Sequence, residues 1–400
     1  TAVAGDIVYF RDGNYTITSM INISRGGSSN SPITFKAYQN ENPLIISNGI
    51  GDVIRVQAPY WVFDGLSFNA TNMPDHDKAI IGVGYDRDAS HIVIKNCKFN
   101  LASAAGHDNI SCIKLQSGLA NYALIQNNDF QSFIETGSGY GGNGVQYLGG
   151  TNIGTKILNN NFHNNTLAIY VKHRNSDTAE TGAEIAYNYF YANQEAYHGN
   201  PKNINFHDNL LVNSRINLGD NGGGSQGTNN TIQHNTLYNC GIELQNPGEG
   251  PITNSNIKDN LIMQRVGLSL WGTGSQLPHN SVLDYNIYIS GSASFLEYGN
   301  SYSLSTWKTH YGGDVHSFAG TPTFTGGTSP SSIAGYTLAT GSLGKNAASD
   351  GRDMGANISL VGSSVTASTQ TPVCTSFTYS TWSACSSAGT QTRTVISSSP

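Results

Sequence analysis

Short apolar–polar alternations recur along this chain, and they share one pattern. It reads Ile94-Lys-Asn-Cys-Lys-Phe99, Ile125-Gln-Asn-Asn-Asp-Phe130, Ile157-Leu-Asn-Asn-Asn-Phe162 and Ile185-Ala-Tyr-Asn-Tyr-Phe190. Further copies follow as Phe206-His-Asp-Asn-Leu-Leu211, Ile232-Gln-His-Asn-Thr-Leu237, Ile257-Lys-Asp-Asn-Leu-Ile262 and Leu283-Asp-Tyr-Asn-Ile-Tyr288, with a degenerate early copy at Phe63-Asp-Gly-Leu-Ser-Phe68. Strands that return about every 20–30 residues with no helical periodicity between them predict the stacked coils of a parallel β-helix. Asn128, Asn160, Asn188, Asn209, Asn235, Asn260 and Asn286 each stand two residues before the closing hydrophobe. That fixed offset predicts an asparagine ladder at a bend between two strands, where asparagine tolerates the left-handed conformation and its amide bonds to the next coil.

Each repeat carries another strand of the form small-apolar-x-apolar. These are Cys112-Ile-Lys-Leu115, Gly144-Val-Gln-Tyr147, Ala168-Ile-Tyr-Val171, Ala196-Tyr-His-Gly199, Arg215-Ile-Asn-Leu218, Gly241-Ile-Glu-Leu244 and Gly267-Leu-Ser-Leu270. Strand alternation turns the apolar positions inward, Tyr197 among them, and the x positions outward. Two outward columns result: Lys114, Gln146, Tyr170, His198, Asn217, Glu243, Ser269, and beside it Gln116, Leu148, Lys172, Asn200, Gly219, Gln245, Trp271, with Arg174 one step further on. Loops 69–78, 85–90, 100–109, 131–143, 175–181 and 220–230 flank the same coils, and long loops beside a polar sheet make groove walls.

Composition narrows the classes. Glycine contributes 46 of 400 residues and asparagine about 44, both poor helix formers, so a helical bundle is excluded. Charged residues are 12% with a net charge of −6, which argues against a general nucleic-acid binder, and no apolar run is long enough to span a membrane. Against this sparse charge, Lys172, Arg174, His198 and Tyr170 form a basic and proton-exchanging patch. Cys97, Cys112 and Cys240 lie among apolar strand residues and read as buried free thiols.

The opening Ala4-Gly-Asp-Ile-Val-Tyr-Phe-Arg-Asp-Gly-Asn-Tyr15, with Ser31-Pro-Ile-Thr-Phe-Lys-Ala37, resembles the first coils of right-handed parallel β-helix proteins of the pectate-lyase superfamily. Leu304-Ser-Thr-Trp307, Asp314, Ser317 and Asp353-Met-Gly-Ala356 are similar to the closing part of many members. The resemblance covers roughly residues 1–358 and implies an all-β right-handed solenoid; the superfamily includes polysaccharide lyases, epimerases, hydrolases and non-enzymatic surface proteins. The paired Lys and Arg about twenty residues apart of the alginate and chondroitin lyase group is absent, since Asn193 stands twenty-one residues after Lys172. The Asp-Pro-His-Asp string of mannuronan epimerases is absent too.

β-Elimination of a uronic-acid polymer needs a base for the C5 proton, a cation for the carboxylate and an acid for the leaving oxygen. His198, Lys172 and Tyr170 are the expected catalytic residues. Arg174, Lys114, Gln116, Gln146, Asn217, Glu243, Gln245 and Trp271 are the expected substrate-binding ones, with arginine suited to carboxylates. A glycoside hydrolase using Glu243 and Asp220 is one alternative; a non-catalytic surface, fibre or adhesion β-helix is another. The acidic clusters Asp75-His-Asp77 and Asp86-Arg-Asp88 are either calcium ligands or solvated loop charges.

The repeat predicts coils over 1–295, a closing segment over 296–360 and a Ser/Thr-rich linker over 361–372. Residues 373–400 then resemble the start of a thrombospondin type 1-like module, on Cys374, Trp382-Ser-Ala-Cys385, Gln391 and Arg393; Ala388 stands where that family has a cysteine. Such a module implies an oxidising, extracellular setting and contacts with other cell-surface components. Thr1–Asp6 is similar to the last turn of a capping helix, so both ends read as cut from a longer secreted protein. The expected partner is an acidic polysaccharide.

Overall fold

The structure is a computed structural model. It describes residues 2–74, 76–102, 108–135, 140–172, 180–219, 227–245, 252–264, 267–271, 280–289, 295–297, 300–362, 376–381 and 395–399. The chain divides into two compact units, 1–362 and 363–400. The first is a right-handed parallel β-helix of three long sheets, with eleven, twelve and twelve strands among the described residues. Each coil supplies one strand to each sheet, so the Leu124–Gln126, Asp129–Gln131 and Asn143–Leu148 strands of one coil pair in register with Lys156–Leu158, Asn161–His163 and Leu167–Lys172 of the next.

Register stacks like on like. The closing hydrophobes Phe68, Phe99, Phe130, Phe162 and Phe190 form a buried column of parallel rings, their centroids 4.6–5.1 Å apart. At the bend before them the asparagine ladder runs unbroken. Asn128 Nδ2 donates to Asn160 Oδ1 at 3.0 Å, and the same bond repeats through Asn188, Asn209, Asn235, Asn260 and Asn286. One expectation is corrected. The left-handed residue is the one before the ladder asparagine, namely Asn127, Asn159, Tyr187, Asp208, His234, Asp259 and Tyr285. The turn needs one positive φ to reverse the chain, and the next residue then points its amide into the stack. Replacing Asn188 with alanine removes the acceptor of the Asn160 backbone N–H and one of the two bonds of Asn160 Nδ2. It also removes the Nδ2 bonds to the Ile157 carbonyl and to Asn209 Oδ1, which keeps only the Asn188 backbone N–H. We expect a loss of roughly 3 kcal/mol, since each buried unsatisfied group costs about 1–3 kcal/mol; chemical denaturation checks it.

A second ladder, unread in the sequence, lines the bend between the second and third sheets. It runs Ser132, Asn165, Asn193, Ser214, with Asn165 Nδ2 on Asn193 Oδ1 at 2.8 Å. Asn193 therefore serves the backbone rather than the groove.

The Leu304–Tyr311 helix closes the last coil. Its Trp307 is buried against Phe295 and donates to Asp314 Oδ2 at 3.0 Å. Residues 344–362 then run back along the stack. Gly355 and Ala356 donate to the Asp259 carbonyl and Thr236 Oγ1, Asn357 to Asp208, and Gly362 to the Tyr187 carbonyl. This strap covers the apolar outer face of the second sheet, where Leu210, Val212, Leu261 and Ile287 are buried against Met354 and Ile358. Cys97, Cys112 and Cys240 are buried free thiols.

In the second unit the described residues form an antiparallel ribbon, Ser376–Tyr379 with Val395–Ser399. Cys374, Trp382, Cys385, Gln391 and Arg393, which carry the thrombospondin type 1-like resemblance, lie outside the described residues. No helix of the described residues is long and apolar enough to cross a membrane.

Candidate functional site on the third sheet

The outer column of the third sheet runs in register as Lys114, Gln146, Tyr170, His198, Asn217, Glu243 and Ser269. It extends back through Gly82 to Arg55. The second column is continuous over Gln116, Leu148 and Lys172, and again over Gln245 and Trp271. Asn200 and Gly219 lie beyond their strands. Arg174 and Asp220 lie outside the described residues, as do the side chains of Gln245, Ser269 and Trp271.

Tyr170 and His198 meet edge to face, their ring centroids 5.4 Å apart. Tyr140, from the loop entering the Asn143–Leu148 strand, stacks on Tyr170 at 5.4 Å and leans on His198 at 5.6 Å. His198 is only 6% exposed. Its Nδ1 lies 2.6 Å from Glu195 Oε2 and 3.3 Å from Asn217 Nδ2. Its Nε2 is buried and has no hydrogen-bond partner among the described residues. Burial pushes the Glu195 carboxyl upward, but the His198 hydrogen bond and the His198 and Arg215 charges outweigh it and hold the group below the usual range. The ionised carboxylate therefore accepts the Nδ1 proton, which leaves Nε2 as the ring's basic nitrogen.

Arg215 ties this pair to the following coil. Its Nη2 is 2.7 Å from Glu195 Oε1 and its Nη1 is 3.2 Å from Glu243 Oε1, while its side chain stays 47% exposed. Burial raises the Glu243 carboxyl, against the lowering charge of Arg215. Two carboxyls held by one guanidinium are thus pushed in opposite directions.

Sequence reasoning missed Glu195 and gave Arg215 the wrong position, for one reason. At the small residues the strand turns two consecutive side chains inward, so Cys112 and Ile113, Ala168 and Ile169, Ala196 and Tyr197 all belong to the core. Parity then flips, and the preceding residue faces outward with the groove column, as the register shift between Glu195 and Tyr197 records. Arg215 aligns with Glu195 instead of with the small residue, which its coil lacks. The signal that was available is a charged residue standing one place before the small one.

Lys114 was expected as an exposed clamp and is corrected: it is 0% exposed. Its Nζ donates to the Asn109 carbonyl at 2.6 Å and stands 3.8 Å from Asp77 Oδ1. Gln146 is buried beside it, holding Asn109 Oδ1 at 3.0 Å and accepting from Ser111 Oγ at 2.9 Å. Together they tie Asn109 and Asp77 to the sheet. Two coils earlier, Asp52 takes Arg55 Nη2 at 2.7 Å and, from the intervening coil, the Tyr85 hydroxyl at 2.9 Å. The Tyr85 ring covers Gly82, where a Cβ would stand 2.4 Å from it, so glycine is required there. Gln116 is buried next to this group. Lys172 shares the floor with Tyr170, two residues along the strand, and has no ion-pair partner among the described residues.

Calcium, which the acidic clusters Asp75-His-Asp77 and Asp86-Arg-Asp88 raise, does not fit the described acids of the third sheet. Asp52, Asp77, Glu195 and Glu243 each face a Lys or Arg, and among the described residues no three His, Cys, Asp or Glu side chains gather as a metal set. Asp75 lies outside the described residues.

No family model matches the chain. The pectate lyase PEL9 of Emericella nidulans is 32% identical over 106 residues, which is 22% of this chain and 24% of that protein. The chain spans only 21% and 24% of the lengths of the curated relatives it matches. Among solved structures, the pectate lyase Pel9A aligns at a TM-score of 0.52 with 16% identity, over 88% of both chains. A PL6 alginate lyase in complex with a trisaccharide aligns at 0.55 with 11% identity, over 90% of both. At these identities the likeness establishes the fold, which polysaccharide lyases share.

Proposed function

We propose that this protein is a secreted polysaccharide lyase that cleaves an acidic, uronate-containing polymer by β-elimination on the third sheet. The observation that carries this reading is the His198 imidazole, with Nδ1 fixed by the Glu195 carboxylate and Nε2 bare. Nε2 takes the C5 proton, and Glu195 with Arg215 behind it stabilises the imidazolium that results. Lys172, a cation without an ion-pair partner among the described residues, faces the substrate carboxylate, and the exposed edge of Arg215 offers a second contact. Tyr170 protonates the leaving oxygen. Tyr140 occupies the place above His198 that a sugar ring would take, so substrate entry displaces it. The fold shared with pectate and alginate lyases supports this reading.

Incubation with alginate, polygalacturonate and glucuronan, followed by ultraviolet absorbance of the unsaturated uronate end, tests it. We expect absorbance to rise with at least one polymer. A flat trace with all three, with and without calcium, sinks the lyase reading. The opposite shifts of Glu195 and Glu243 favour a second reading, hydrolysis by a carboxyl pair. Reducing ends without absorbance would select it.

A further inference from the structure

Elimination is stereochemically demanding, and the two proton-transfer groups of the lyase reading, Tyr170 and His198, stand side by side on the floor of the third sheet. Tyr170 and His198 are register partners on the outer face of adjacent strands. Beneath them Ile169, Val171 and Tyr197 are fully buried core residues. Tyr170 and His198 are 2% and 6% exposed beneath Tyr140, so a pyranose that displaces Tyr140 meets both rings on the same face.

Resting on the lyase reading above, we propose that this centre works by syn elimination. It accordingly takes uronates whose C5–H and C4–O bonds lie on one face of the ring. Those are residues of D-manno and D-gluco configuration. In D-galacturonate and L-guluronate the two bonds lie on opposite faces, so base and acid on one floor do not serve both. The balance is closed. His198 Nε2 takes the C5 proton, the C–H electron pair becomes the C4=C5 double bond, and the C4–O bond breaks. The departing oxygen takes the Tyr170 phenolic proton. Transfer of the proton from the imidazolium to the phenolate, directly or through water, restores both groups.

The assignment separates this chain from what its pectate-lyase likeness would suggest, because pectate is a galacturonate polymer. Tyr170→Phe keeps the ring that packs on Tyr140 and His198 and removes only the hydroxyl.

The test compares size-matched oligomannuronate and β-1,4-oligoglucuronate with oligogalacturonate and oligoguluronate, reading initial rates of unsaturated uronate formation. We expect turnover confined to the first pair, or about a hundredfold faster on it. On the better substrate Tyr170→Phe should lower kcat by about a hundredfold with little change in KM. Equal rates on both pairs, preference for the second pair, or a fully active Tyr170→Phe would overturn the syn assignment while leaving the lyase reading standing. Absence of unsaturated product from all four overturns both.

Discussion

Replacing His198 with alanine should lower turnover on the preferred uronan by about a thousandfold while leaving the coil stack folded. The size follows from general base catalysis, which supplies about 10²–10⁴ in rate. The survival of the fold follows from position. His198 lies outside the apolar core, and its bonds run to Glu195 and Asn217 rather than to the backbone ladders. Glu195 keeps Arg215, so the alanine variant does not strand a buried carboxylate without a cation. Glu195→Gln gives a second, smaller loss. An amide can orient Nδ1–H through its oxygen, but it supplies no charge to the imidazolium, so kcat should fall more than KM changes. Initial rates of unsaturated-uronate formation check both variants. Retention of parental activity in His198→Ala would remove the base assignment, and a variant with the thermal stability of the parent excludes unfolding as the cause of a loss.

The groove column was legible because a parallel, in-register stack converts strand parity into a line of neighbours. Tyr170 over His198 and Asn217 beside Glu243 needed only the repeat and the period of two. The ladder asparagines were legible for the same reason. What parity cannot show is a place where parity breaks. The paired inward residues Ala196 and Tyr197 turned Glu195 to the groove, and that residue orients the imidazole. Burial on the outer face was equally hidden, since an outward position is exposed only if nothing roofs it. Asn109 and Asp77 cap Lys114, and Tyr85 caps Gly82. A hint of such covering did exist elsewhere. Leu210-Leu-Val212 and Leu261-Ile-Met263 are apolar on both faces, a pattern that fits a sheet with a second layer, and the strap over 344–362 is that layer.

Lys114→Met should flatten the stability of the protein between pH 7 and pH 9, with an effect of about 2 kcal/mol across that window. Burial pushes the Lys114 ammonium down to about 7 from its ordinary 10.5, although the charges of Asp77 and Asp52 oppose the shift and those of Lys172 and Lys78 add to it. Below pH 7 the lysine is protonated in both the folded and the unfolded chain, so it contributes no slope. Above pH 7 the folded chain has released a proton that the unfolded chain keeps until pH 10.5. Stability therefore rises with pH, by about 1.4 kcal/mol per unit. The buried thiols set the upper limit of the window. Cys97 and Cys240 are pushed up to about 12 by burial, so above pH 9 the unfolded chain loses those protons first and stability falls. Methionine keeps the stem volume and removes the titrating group, so the parent-minus-variant difference isolates Lys114. Urea unfolding at pH 7, 8 and 9 reads it directly, and parallel slopes in the two proteins would refute the assignment. Below pH 7 the variant is relieved of a buried charge but loses the bond to the Asn109 carbonyl. That bond ties Asn109 to the sheet, so the variant's KM for uronan should rise even where its stability does not fall.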